Sequence, residues 1–127
     1  MASGGPTVLV VDDEPSLRLL CRVNLELDGF RVLEAGTLAD ARSALETEDV
    51  RVILLDVHVA GDDGGDLLDE LRAAEASVCV AMLTGSADLG SARYAAADAV
   101  IAKPFDPVAL VETVRRLADG TRVDSSA

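Results

Sequence analysis

The residues best placed to do chemistry in this chain are polar groups standing at the ends of short apolar runs. Val8-Leu9-Val10-Val11 leads into Asp12-Asp13-Glu14, and Val52-Ile53-Leu54-Leu55 leads into Asp56. Two further runs end differently: Val78 to Leu83 in Thr84-Gly85-Ser86, and Ala99 to Ala102 in Lys103-Pro104. Carboxylates that converge within a few Å repel one another and drive their pKa values apart unless a cation sits among them. No His or Cys cluster accompanies these acids, so ligation would be all-oxygen. That selects a hard ion, and Mg²⁺ is the usual one where carboxylates are few and water positions stay open. Lys103 offers a point charge for one phosphoryl oxygen and the Thr84 hydroxyl a donor for another. Phosphoryl transfer asks a protein mainly for alignment and charge neutralisation, and a carboxylate can be its nucleophile. Asp56, alone at the end of its run, is the expected nucleophile; the adjacent Asp12 and Asp13 suit metal ligation.

The elements that position these groups follow from the same runs. Four apolar residues bounded by charges are too few for a helix and predict a buried strand. Pro15 fits the first turn of a helix, with Leu17, Leu20, Cys21, Val23 and Leu27 as its expected apolar face and Gly29 as its stop. Phe30 to Ala35 predicts a second strand. Thr37 with Asp40 three residues on predicts a capped helix through about Glu46, facing inward with Leu38, Ala41 and Leu45. After Asp56 a long Gly- and Asp-rich loop, His58 to Gly65, precedes a helix marked by Leu67, Leu68 and Leu71. The alanine-rich stretch that follows Thr84-Gly85-Ser86, as far as Ala97, is expected to be helical. Asp106 and Pro107 then cap and start a last helix with Leu110, Val111, Val114 and Leu117 inward, and Arg115 and Arg116 in its last turn, where the helix dipole favours cations. Five strands alternating with five helices predict an α/β domain: one parallel sheet covered on both faces, with its ligand site beyond the carboxyl ends of the strands. Asp12, Asp13, Asp56, Thr84 and Lys103 all fall there.

Four stretches carry a resemblance: VLVVDDE from Val8 to Glu14, LLDVHVAGDDG from Leu54 to Gly64, LTG from Leu83 to Gly85, and KPF from Lys103 to Phe105. In this order and at these separations they resemble the chemotaxis-receiver-like receiver domain of bacterial two-component response regulators, over residues 7 to about 119. The resemblance implies a flavodoxin-like, doubly wound (βα)5 fold with strand order 2-1-3-4-5. It implies Asp56 as the phosphoacceptor, with Mg²⁺ held by Asp13, Asp56 and the backbone carbonyl of His58 and with Asp12 acting through water. Thr84 and Lys103 would contact the phosphoryl group, and the Lys103-Pro104 peptide would be cis. A histidine kinase or phosphotransfer protein would supply the phosphate, a downstream protein or output domain would read the switch, and the only chemistry catalysed would be the domain's own phosphorylation and dephosphorylation. The chain departs from the pattern at Ala60, where receivers usually carry Pro, and at Val100, where they usually carry Tyr or Phe. It also has fewer residues between Thr84 and Lys103. The side chains of His58, Ser86 and Val100 are therefore the expected modulatory positions.

Other readings weigh against these. An EF-hand loop starting at Asp56 would need Glu where Leu67 stands, so Asp62-Asp63-Gly64-Gly65 is expected to be a turn with solvated carboxylates. His58 reads as an exposed loop residue before a phosphate carrier, Ser86 as a helix cap before a catalytic hydroxyl, and Phe105 as core packing. A net charge of -12 and only three aromatics (Phe30, Tyr94 and Phe105) argue against direct nucleic-acid binding. Cys21 and Cys79 lack metal or redox spacing and read as buried, reduced thiols of a cytoplasmic protein. No apolar run approaches the roughly 18 residues of a membrane span. Residues 1 to 6 read as a disordered lead-in and 120 to 127 as a flexible tail. Two other function classes remain: a degenerate receiver used as a phosphorylation-independent binding scaffold, and a Mg²⁺-dependent phosphohydrolase with an aspartyl-phosphate intermediate. The second usually carries an Asp two residues after its nucleophile, where this chain has His58.

Overall fold

In the computed structural model, which describes residues 5–85 and 90–120, the apolar runs become five strands. These are β1 (Thr7–Val11), β2 (Arg31–Ala35), β3 (Val52–Asp56), β4 (Cys79–Thr84) and β5 (Ala99–Ala102). They pair in parallel in the order β2-β1-β3-β4-β5, the doubly wound order expected. The register aligns the strand ends. Val11 is level with Leu55, Asp56 with Leu83 and Thr84 with Ala102, so the residues that follow emerge together on one edge.

Side chains along a strand alternate between the two faces. Val8, Val10, Val52, Leu54, Ala81 and Leu83 pack against α1 (Pro15–Leu27) and α4 (Pro107–Ala118). Leu9, Val11, Ile53, Leu55, Val80 and Met82 pack against α2 (Leu38–Thr47) and α3 (Gly65–Ala73). The central strands, buried on both faces, are therefore apolar throughout, as their sequences require. Helix boundaries follow local chemistry. The Thr37 Oγ1 accepts the Asp40 N–H at 3.0 Å, and the Asp106 Oδ1 accepts the Val108 N–H at 3.2 Å. Gly29, with φ of 96°, follows α1. α3 closes in a Schellman turn, Ala76 N–H to Leu71 O and Glu75 N–H to Arg72 O, with Glu75 at φ of 55°. No helix among the described residues is long and apolar enough to cross a membrane.

Three expectations are corrected. The buried stripe of α1 is Cys21 and Leu25, while Leu20, Val23 and Leu27 face outward, Leu27 at 83 % exposure. Apolar residues lie on more than one face of this helix, and its seat between the sheet and α4 selects the i, i+4 pair. Next, the loop after β3 contains a hairpin, His58–Val59 against Asp62–Asp63. Its two-residue turn places Ala60 at φ of 50° and Gly61 at 87°, the double positive φ of a type I′ turn. Finally, residues 90–97 form a single 3-10 turn, Ala92–Tyr94, instead of an α-helix, and residues 86–89, including Ser86, lie outside the described residues. Alanine-rich sequence without an apolar stripe gives a helix no face to bury. Here Tyr94 plugs into the core with Ala97 packed beside it, and Arg72 of α3 bonds the Ala96 carbonyl at 2.9 Å and Asp98 at 2.8 Å.

Candidate functional site

Asp12 follows β1 and is wholly buried. Its N–H bonds the Ala35 carbonyl at 3.0 Å, its carbonyl accepts Arg18 Nη1 at 2.6 Å, and its Oδ1 accepts the Glu14 N–H at 2.9 Å. Burial, reinforced by Asp56 close by, raises its pKa from 3.8 to about 6, against the opposing pull of the Glu14 amide and Lys103. Asp13 is exposed, and its Oδ2 accepts the Ala60 N–H at 2.9 Å. Asp56 ends β3 nearly buried; its Oδ1 accepts the His58 N–H at 3.1 Å. Lys103 places its Nζ 2.5 Å from Asp56 Oδ2 and 3.4 Å from Asp12 Oδ2. Burial works against the ammonium, but Asp56 and Asp12 outweigh it and hold its pKa above the ordinary lysine value.

Asp12, Asp13 and Asp56 each offer one carboxylate oxygen, and these atoms lie within 4.8 Å of one another. Three carboxylates against one ammonium leave an excess of negative charge that a divalent cation would neutralise, and the all-oxygen donor set fits Mg²⁺. Thr84 is buried at the end of β4, where its hydroxyl donates to the Gly85 carbonyl at 3.0 Å. Its main-chain carbonyl accepts the Lys103 N–H at 2.8 Å, so the two residues are locked together. The Lys103-Pro104 peptide is cis. His58 presents an exposed side chain two residues from Asp56. Val100 lies away from this edge, midway along β5, and is 43 % exposed.

Several residues at this edge have roles that their sequence context does not mark. Gly64 packs on the carbonyl of Asp56 so closely that an added Cβ would lie 2.1 Å from that oxygen, and its N–H bonds the Val57 carbonyl at 2.8 Å. In the sequence it closes the LLDVHVAGDDG stretch and opens a Gly-Gly pair, with nothing there to mark its packing on Asp56. Arg18, which pins the Asp12 carbonyl, is one of several helical arginines. Asp63 is not a solvated turn carboxylate. Burial alone would raise its pKa, but the Gly65 amide, Arg93 and the Tyr94 hydroxyl bring it below the ordinary aspartate value. Arg93 reaches Asp63 at 3.3 Å, Asp66 at 3.1 Å and Asp69 at 3.0 Å, passing over Gly65, where a Cβ would lie 2.6 Å from the guanidinium carbon.

Known proteins resemble this chain in sequence and in fold. The response regulator receiver domain family matches residues 8–115. The chain is similar to the nitrate/nitrite response regulator protein NarP of Escherichia coli, 38 % identical over 123 residues, covering 93 % of this chain and 57 % of that protein. It is also similar to the C4-dicarboxylate transport transcriptional regulatory protein DctD of Pseudomonas aeruginosa, 36 % identical, covering 91 % of this chain and 26 % of that protein. The chain thus spans about half or less of the relatives it matches. Among solved structures, a CheY-like receiver domain protein from Methanospirillum hungatei superposes with a TM-score of 0.85 at 28 % identity, covering 94 % of this chain and 98 % of the other. The response regulator TrrA from Thermotoga maritima, solved with Mg²⁺ and BeF, superposes with a TM-score of 0.82 at 27 % identity, covering 88 % and 98 %.

Proposed function

Because this chain belongs to the response regulator receiver family, whose role is to accept a phosphoryl group, we propose that it is a two-component switch domain phosphorylated on Asp56. One observation carries the reading: the Asp56 carboxylate ends a central strand with the Lys103 ammonium 2.5 Å away and two further aspartates converging on it. The domain is assigned residues 7–119; the described strands and helices run from Thr7 to Ala118.

Asp13, Asp56 and the His58 carbonyl would hold Mg²⁺ directly and Asp12 through water. Hydrogen bonding in an antiparallel ladder alternates; the Gly64 N–H bond to Val57 therefore sets the His58–Asp63 pair at a non-bonded position, which supports that use of the His58 carbonyl. When bound, the ion neutralises the phosphoryl oxygens and lets two anions approach. An Asp56 oxygen then forms the new O–P bond while the P–N bond of a phosphohistidine donor breaks, its electron pair staying on the imidazole. Lys103 remains protonated and balances charge on the acyl phosphate. Thr84 turns its hydroxyl from the Gly85 carbonyl to a phosphoryl oxygen. The His58 side chain modulates water access to the acyl phosphate, while Val100 and Ser86 modulate readout.

The phosphodonor is a histidine kinase or phosphotransfer protein. Leu17, Leu20, Pro104 and Phe105 line a cleft beside Lys103 that offers it apolar contact. The family is not one of classical enzymes: the chemistry is confined to the domain's own carboxylate. Buried free thiols at Cys21 and Cys79 support a cytoplasmic setting.

Intact mass spectrometry after incubation with acetyl phosphate tests the reading. A single Mg²⁺-dependent phosphoryl adduct is expected on the wild type and none on Asp56→Asn. Turnover of acetyl phosphate without a lasting adduct would point to a phosphohydrolase, and complete inertness to a binding scaffold; either result rejects the proposal.

A further inference from the structure

We propose that the main-chain N–H of Ala60 is a positioning group for the cation site, fixing the Asp13 carboxylate in its ligating orientation. The inference rests on the proposed Mg²⁺ site and adds the residue at which the loop departs from the family pattern.

Asp13 is exposed, so its carboxylate would rotate freely unless something held it. The one hydrogen bond it takes among the described residues is from Ala60, 2.9 Å to Oδ2. That donor is aimed by the hairpin. The His58 N–H bonds Asp56 Oδ1 at 3.1 Å, and two residues later the Ala60 N–H bonds Asp13. One short stretch of backbone therefore spaces two of the three converging carboxylates. Its base is fixed by pairing of His58 with Asp63 and by Gly64 N–H on the Val57 carbonyl.

Residue type decides whether this can happen. Proline has no N–H, and its ring holds φ near -65°, whereas Ala60 stands at 50°. With proline at 60 neither the bond nor this type I′ turn could form. A non-glycine residue at positive φ is strained, and the hydrogen bond to Asp13 is what this conformation delivers. Groups that orient a metal ligand without touching the metal commonly set affinity by about tenfold or more.

Mg²⁺ affinity, read from amide NMR shifts titrated with MgCl₂, separates positioning from mere turn formation. Ala60→Gly keeps the N–H and the turn. Replacing Ala60 by lactic acid, by semisynthesis, swaps the N–H for an ester oxygen while keeping the methyl group. The expected result is wild-type affinity for Ala60→Gly and about tenfold weaker binding for the ester. Equal affinity in the ester variant, or tighter binding, would overturn the proposal. A second measurement needs no variant: a through-hydrogen-bond coupling between the Ala60 nitrogen and the Asp13 side-chain carbon should persist at saturating Mg²⁺, and its absence there also rejects the role. A wild-type chain that binds no Mg²⁺ removes the proposed site as well, whereas normal wild-type binding and phosphorylation with an unaffected ester removes this inference alone.

Discussion

Replacing Asp12 by Asn should change how the metal-free chain responds to pH, because this carboxyl is buried among like charges. Its pKa moves from 3.8 in the unfolded chain to about 6 in the folded one. Between these values the folded state holds a proton that the unfolded state has lost. Stability contributed at this site is therefore fully present below about pH 4 and lost as pH rises through 6. A displacement of that size corresponds to about 3 kcal/mol. For a chain of this length that is roughly 10 °C in Tm. Asn at 12 can still accept the Glu14 N–H that Asp12 Oδ1 takes at 2.9 Å, and it gives up only a long 3.4 Å contact with Lys103. Thermal melts by circular dichroism in EDTA, from pH 4 to 7.5, check this. The Tm of Asp12→Asn minus that of the wild type should rise across the window, by up to about 10 °C. Saturating Mg²⁺ should narrow the gap at pH 7.5 by stabilising the wild type, and less so at pH 5, where protons compete for the ligands. A Tm difference that stays flat from pH 4 to 7.5 would refute the reasoning.

Two further substitutions probe backbone geometry. Gly64→Ala puts a Cβ against the Asp56 carbonyl and should cost about 2–3 kcal/mol while sharply reducing acetyl-phosphate labelling of Asp56; normal labelling and stability would contradict the close approach. Glu75→Gly relieves positive φ at the end of α3 and removes a negative charge from a helix C-terminus, so stability should rise by about 1 kcal/mol in denaturant unfolding. Glu75→Ala removes the charge but keeps the strain, and should recover only a minor part.

Much of this was legible because strands buried on both faces leave an unambiguous trace. Val8 to Val11 and Val52 to Leu55 could be little else, and the polar residue ending each run had to emerge on one edge. The convergence of Asp12, Asp13, Asp56 and Lys103 can be read from the sequence for that reason. α1 was misjudged because Leu20, Val23 and Leu27 are as apolar as the buried Leu25, and only the position of α4 decides which stripe turns inward. The hairpin was missed because its turn is Ala60-Gly61 and not Asn-Gly, so it lacks the usual sequence mark. The 90–97 segment reads as helix because alanine favours helix locally, whereas Tyr94, Arg93 and Arg72 act through tertiary contacts that sequence does not display.

The way Arg93 is held has a consequence for solution conditions. Asp63, Asp66 and Asp69 follow one another three residues apart and meet the same guanidinium, and all but Asp63 are well exposed. Exposed pairs weaken as dissolved ions screen them, over a distance of about 8 Å at physiological ionic strength. The neighbouring helix α3 holds its shape through backbone hydrogen bonds, which added salt barely alters. Residues 91–98 depend more on side-chain charge, so the contour of this flank is coupled to ionic strength more closely than that of the buried strands that carry Asp56.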